Sequence, residues 1–244
     1  MTQRVVAIHQ PNFFPWLGYF DKIARADVFV VLDTVQLPGG AGTWLNRVKL
    51  LVAGADRWVT APLRRESSFR SIRDVSFDES KPWRRKLIAT VQASYSRAPH
   101  YRDVVALIEE LIAHQASNLA AYNLHAIQTI SGALGLDTSK IVQASDLPGE
   151  GASNALLISL VKSSGGTAYL CGGGASGYQD DALFAAAGVR LRYQDFRHPS
   201  YAQQGSANEF KAGLSILDAL ANLGLAGTAS LIGRTGVDER RYER

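Results

Sequence analysis

Short apolar runs recur along the chain, and the stretches between them change period in a regular way. Residues 5–8 (Val-Val-Ala-Ile) and 28–32 (Val-Phe-Val-Val-Leu) are continuous apolar segments. Such runs suit strands buried on both faces, because a half-solvated strand would alternate. Residues 34–36 extend the second run. Residues 44–51 and 57–63 alternate well enough for two more strands, turning at Gly54-Ala55-Asp56, and 70–75 adds another short one. From Lys81-Pro82-Trp83 the period becomes helical, with proline suited to a first turn. Helices are predicted at 81–95, 101–114 and 118–134, the last closed by Gly135. Ile108, Leu111 and Ile112 form one apolar face, and Leu124, Ile127, Ile130 and Leu134 another. A short helix at 17–24 follows the first strand. The last third alternates again: strand 140–143, helix 152–163, strand 167–171, helix 179–187, strand 189–193 and helix 214–223. This order predicts an α/β fold, a mostly parallel Rossmann-like sheet flanked by helices, with a helical segment at about 81–135 in the middle of the chain. Residues 1–227 are expected to form a single α/β domain, and 228–244 a basic, flexible tail.

Composition narrows the class. A chain of 244 residues, 46% apolar and 20% charged, can bury a core without staples. The single cysteine, Cys171, rules out an internal disulfide and fits a reducing compartment. No signal peptide and no bilayer-length apolar stretch are visible, so the expectation is a cytoplasmic protein without a membrane span. The net charge of +4 suits an anionic small-molecule substrate. No helix-turn-helix, zinc-finger or RNA-binding signature supports nucleic acid as a partner. No His-Glu-x-x-His or paired-cysteine spacing occurs, so no metal ligand is assigned. Nothing in the sequence sets the oligomeric state.

The chemistry concentrates after the first strand, in His9-Gln10-Pro11-Asn12-Phe13-Phe14-Pro15-Trp16-Leu17-Gly18-Tyr19-Phe20-Asp21-Lys22. Two prolines stiffen this loop at a strand end, where α/β proteins bind ligands. His9 is a candidate general base or hydrogen-bond donor, and a loop-stabilising histidine is the plain alternative. Gln10, Asn12 and Trp16 are candidate substrate contacts; Tyr19 and Lys22, three apart, share a helix face. Asp33 ends the second strand, with Gln36 after it. Trp44 and Asn46 are predicted on one strand face, with Arg47 opposite as an anion grip or a surface ion pair. His198, fixed by Pro199 and with Asp195 and Tyr201 near it in sequence, is the second acid–base candidate. Cys171 reads as a buried small residue, and Gly172-Gly173-Gly174 as a weak phosphate cradle.

These segments resemble the WbqC-like family. The likeness rests on His9-Gln10-Pro11-x-x-Phe14-Pro15-Trp16-x-Gly18-Tyr19-x-x-Lys22, Asp33-x-x-Gln36, Trp44-x-Asn46-Arg47 and Tyr169-Leu170-x-Gly172. It continues in Tyr193-Gln194-Asp195-Phe196-x-His198-Pro199-x-Tyr201-x-Gln203 and Leu214-Ser215-Ile216-Leu217-Asp218. Cys171 replaces a serine usual in relatives, and Ala175-Ser176-Gly177 replaces more polar residues. The resemblance implies a role in surface-polysaccharide (O-antigen) or natural-product biosynthesis. The expected function is an enzyme, of transferase type, modifying a sugar or small metabolite by acyl or aminoacyl transfer to an amine, or by nucleotidyl-type chemistry. His9 and His198 would be catalytic. Gln10, Asn12, Trp16, Tyr19, Lys22, Asp33, Gln36, Trp44, Asn46, Arg47, Gly172, Asp195 and Tyr201 would bind substrate. The donor would be a nucleotide or an activated acyl group. By analogy, the opening strand–loop–helix is similar to the HIGH-type nucleotidyltransferases, with the second histidine of that signature missing. The alternative is a non-catalytic binding module for a nucleotide-linked sugar or a pathway enzyme.

Overall fold

The computed structural model describes residues 3–38, 43–64, 70–172, 179–206 and 209–233. Five strands form one parallel sheet: β1 (Val5–His9), β2 (Val28–Val31), β5 (Ile141–Gln143), β6 (Ala168–Gly172) and β7 (Arg190–Gln194), in spatial order β5-β2-β1-β6-β7. A two-stranded antiparallel hairpin, β3 (Arg47–Val52) and β4 (Ala55–Thr60), follows β2. Helix α1 (Leu17–Arg25) connects β1 to β2. Helices α2 (Trp83–Tyr95), α3 (Tyr101–Ala113) and α4 (Leu119–Ala133) lie between the hairpin and β5. Helices α5 (Ser153–Ser163) and α6 (Asp181–Ala186) precede β6 and β7, and α7 (Ile216–Ala229) comes last. The α/β class and the parallel sheet flanked by helices are therefore as the apolar pattern predicts.

Strand periodicity divides the core into two layers. Val5, Ala7, Phe29, Val31 and Leu170 face one side, packed with α1, α7 and the middle helices. Val6, Ile8, Val28, Val30, Tyr169 and Cys171 face the other, toward α5 and Phe184 of α6. Successive side chains of a strand point to opposite faces, so runs buried on both sides must be apolar throughout.

Some local expectations differ. Residues 34–36 do not continue β2; only an isolated bridge joins Gln36 to Ser71. Residues 70–75 hold a 3₁₀ turn, Ile72–Asp74, instead of a strand. The hairpin turns at Ala53-Gly54, both with positive φ, one step earlier than predicted. Trp44 and Asn46 thus fall in a turn before β3, not on a strand face. Helix α7 continues past residue 223, broken at Gly224, whose φ of 68° is left-handed. Of the predicted flexible tail, residues 234–244 lie outside the described residues, as do positions 173–178 of the glycine-rich loop. Among the described residues no helix is long and apolar enough to cross a membrane.

The sheet order places the site. From β1 the chain moves outward to β2 and β5, then returns to the other side of β1 for β6 and β7. The direction of winding therefore reverses between β1 and β6, and ligand crevices of α/β sheets open there, beyond the strands' carboxyl ends. His9 ends β1 and Gly172 ends β6.

Candidate functional site

The segment from Gln10 to Trp16 is fixed from three sides. Asn123 of α4, fully buried, donates through Nδ2 to the carbonyls of Pro11 (2.7 Å) and Leu45 (2.8 Å). The Phe13 amide donates to Trp44 O at 2.7 Å. Ser215, capping α7, donates its hydroxyl to Phe14 O (2.7 Å), and the Ile216 amide donates to Pro15 O. Phe14 is held at a φ of 43°, a conformation that non-glycine residues adopt at a cost.

Against this rigid wall sits His9. Its Nδ1 lies 3.1 Å from Gln10 O, so Nδ1 carries the proton and Nε2 presents its lone pair. Tyr19 approaches edge-on at 4.8 Å between ring centroids, and Trp16 at 5.9 Å. The Tyr19 hydroxyl also donates to Gln10 O, at 3.0 Å. Burial, and secondarily the positive charge of Lys22, lower the His9 pKa to about 3. The imidazole is thus neutral at physiological pH.

Lys22 is the unusual group. It is only 3% exposed, and its ammonium has no carboxylate and no hydrogen-bond acceptor among the described residues. Its neighbour Asp21 is already taken by Arg25 Nε (2.7 Å), Gln194 Nε2 (2.8 Å) and the Gly233 amide (2.9 Å). Burial lowers the Lys22 pKa to about 8. A buried cation without a partner is costly, and proteins usually pair it. Lys22 Nζ lies against Gly172, where an added Cβ would stand 3.3 Å from it. The Lys22 ammonium, the neutral imidazole and the end of β6 therefore meet at the reversal between β1 and β6.

Aromatic rings extend outward from this crevice. Trp16 packs on Trp44 (4.8 Å), Trp44 on Trp58 (4.5 Å), and the Arg47 guanidinium lies 4.2 Å over the Trp58 ring. Trp58 was not among the sequence candidates, and it is 39% exposed.

His198 belongs to a second cluster. Its ring meets Phe196 edge-on at 4.9 Å, and burial with the nearby Lys49 charge lowers its pKa. Phe196 in turn covers Gly18, where a Cβ would lie 2.7 Å from both Phe196 Cδ1 and Trp16 Nε1. His9 and His198 are thus linked through Trp16 and Phe196 and make no ring contact with one another. Asp195 pairs with Arg197 at 3.5 Å, both exposed, so it does not orient His198.

Several other predicted contacts already have partners within the fold or lie apart from the crevice. Both Asp33 oxygens accept from Ser145, from its amide (3.0 Å) and its hydroxyl (2.7 Å). Asn46 bridges the Thr43 amide and Ala61 O. Gln36 is exposed at its bridge to Ser71, and Asn12 is buried within the loop. Tyr201 donates to Asp218 Oδ2 at 2.6 Å, where Gln203 Nε2 also donates at 3.0 Å. Asp218 is fully buried, and burial raises its pKa. Sequence reasoning missed Asn123 and Ser215 as the clamps of the loop. A signal for Asn123 existed: it shares the buried face of α4 with Ile127 and Ile130, at helical spacing.

Cys171 faces the opposite layer, fully buried, its Sγ donating to Arg192 O at 3.3 Å. Burial pushes its pKa up to about 12, so it stays a thiol and a poor nucleophile. Cys171→Ser is expected to keep at least half of the wild-type ligand affinity. The native thiol should remain unlabelled by iodoacetamide at pH 7 over an hour, read by intact mass. Rapid labelling in the folded state would contradict its burial. Among the described residues, no three His, Cys, Asp or Glu side chains gather in a metal-holding group.

No solved structure matches the chain. The chain is 28% identical over 222 residues to the uncharacterized protein Rv1507c of Mycobacterium tuberculosis (strain ATCC 25618 / H37Rv), covering 90% of this chain and 94% of that protein. The family model described as the WbqC-like protein family matches residues 10–229, a span that holds every clamp of the His9 loop described above, and the chain belongs to that family.

Proposed function

We propose that this WbqC-like protein is an enzyme that transfers an acyl or aminoacyl group to an amine of a sugar or small metabolite, in surface-polysaccharide or natural-product biosynthesis. The observation that carries this reading is the buried Lys22, whose ammonium has no partner among the described residues, beside the neutral imidazole of His9. An unpaired buried cation waits for an anion, and an acyl phosphate or acyl adenylate brings one. Bound against Lys22, the phosphate offsets the positive charge that lowers the proton affinity of His9. The imidazole then becomes a better base with the donor in place. The amine nitrogen attacks the acyl carbon and a C–N bond forms. The acyl C–O bond to phosphate breaks, its electron pair leaves on the phosphate, and the amine proton passes to His9 Nε2. Gly172 leaves room for the phosphate beside Nζ. Trp16 and Trp44 offer apolar faces to the ring of the acceptor or donor.

The test is a donor screen by thermal shift over nucleotides, nucleotide sugars, acyl phosphates and acyl-CoA. Hits are then incubated with amino sugars and read by mass spectrometry. The expected result is amide product, lost at least 100-fold in His9→Ala with donor affinity within about threefold of wild type. Donor binding with no product from any amine would favour the binding module over the enzyme. No binding of any anionic donor would remove both readings.

A further inference from the structure

Apart from the crevice at Lys22, a cavity of about 410 Å³ opens between the end of β4 and the first turns of α2. We propose that it is a second binding site, for an amphipathic carboxylate: an apolar chain or ring of roughly ten heavy atoms carrying one carboxyl group. If each atom takes about the ~30 Å³ of a liquid water, the volume holds roughly a dozen non-hydrogen atoms. That size is within the range of small-molecule sites.

Three observations give the occupant its chemistry. The first is the apolar wall. Phe13 and Trp83, both buried, line the cavity with Leu87. The second is charge: among the described residues, Lys81 and Lys86 are the only charged ones lining it. Neither makes an ion pair among the described residues. Of the nearby carboxylates, Asp78 bonds Ser80 and feels the charge of Lys81 without a side-chain bond to it, and Glu79 pairs with Arg84. The third is the helix end. Helix α2 starts at Trp83 with no side-chain cap and no acidic residue in its first turn, so its own residues do not offset its positive terminus. Trp83, Lys86, Leu87 and Thr90 follow the i, i+3, i+4, i+7 spacing, so one stripe of α2 presents the apolar wall and a cation together. An apolar body with an anionic head matches that stripe; a neutral or cationic amphiphile does not.

The test uses octanoate, octan-1-ol and octylammonium with the full-length ¹⁵N-labelled protein. The four indole N–H resonances are followed, that of Trp83 being assigned with Trp83→Phe. Octanoate is expected to shift the Trp83 signal saturably at one equivalent, with affinity at least tenfold above octanol. The paired exposed substitutions Lys81→Glu and Lys86→Glu should reverse the preference toward octylammonium. Thr90→Phe, which fills the cavity, should weaken octanoate at least tenfold. Equal affinity for the three probes, or octanoate binding unchanged in the Glu pair, overturns the proposal. If Thr90→Phe fails to fold, the Glu pair decides alone, because both lysines are exposed. His9→Ala should leave octanoate binding unchanged, which separates this site from the crevice.

Discussion

Lys22→Met is expected to make the protein more stable and unable to hold an anionic ligand. Methionine fills nearly the same volume without the charge. In the folded chain Lys22 has a pKa of about 8, against 10.5 ordinarily. At roughly 1.4 kcal/mol per pH unit, that gap corresponds to ~3 kcal/mol of folding free energy. The sign follows from linkage. Between pH 8 and 10.5 the unfolded chain keeps the proton that the folded chain releases, so wild-type stability rises across that window. Below pH 8 both states are protonated and the folded state carries the whole penalty of burying the charge. At pH 7 the variant should therefore gain about 2 kcal/mol, or roughly 4–8 °C in Tm for a chain of this size. The gain should shrink toward pH 10. Differential scanning calorimetry over this pH range checks it. A destabilised Lys22→Met would mean that Lys22 has an anionic partner in the resting protein. Stability set against ligand binding at one residue is the signature of a site that bears strain for function. For the wild type, anion affinity should fall as pH rises through about 8, when Lys22 loses its proton.

The second large effect is expected at Asn123→Ala. Its Nδ2 donates to both Pro11 O and Leu45 O in a fully buried setting. Alanine leaves two buried carbonyls without donors and a small void. A loss of about 2–4 kcal/mol follows, since each orphaned buried acceptor costs ~1–3 kcal/mol. The Gln10–Trp16 segment also loses its α4 anchor, so its amides should exchange faster with solvent than those of β1. Urea unfolding and hydrogen exchange measure the two consequences separately. Unchanged stability would mean that water replaces the amide, and that the loop is held by Ser215 and Trp44 alone.

The fold was legible where burial fixes the pattern. β1 up to Ile8, β2 and β6 up to Cys171 are apolar without interruption because they lie inside the sheet, with both faces covered. Expectations failed where local propensity met a tertiary partner. Residues 70–75 alternate like a strand, but Ile72 must reach the core and the chain turns there into a 3₁₀ helix. Trp44 and Asn46 read as a strand, but the Asn46 side chain bonds the Thr43 amide and Ala61 O, and so builds a turn. The candidate site divides along the same line. His9, Trp16, Tyr19 and Lys22 lie on one contiguous segment whose composition announces them. No local pattern reveals that Lys22 finds no carboxylate among the described residues, because that depends on Asp21 being claimed by Arg25, Gln194 and Gly233. Tyr201 and Asp33 are ligand candidates by residue type, and their bonds to Asp218 and Ser145 are equally invisible to local pattern.

The bond from Ser215 to Phe14 O joins residues 201 positions apart. At about 5–20 residues per second, ribosomal synthesis leaves roughly 10–40 s between the appearance of the two ends. Throughout that interval the nascent His9 segment lacks its last brace, so competence to capture a ligand arrives only once α7 has emerged. Ribosome-bound chains stalled before position 215 should show open, protease-sensitive N-terminal loops, and chains stalled well beyond it closed ones.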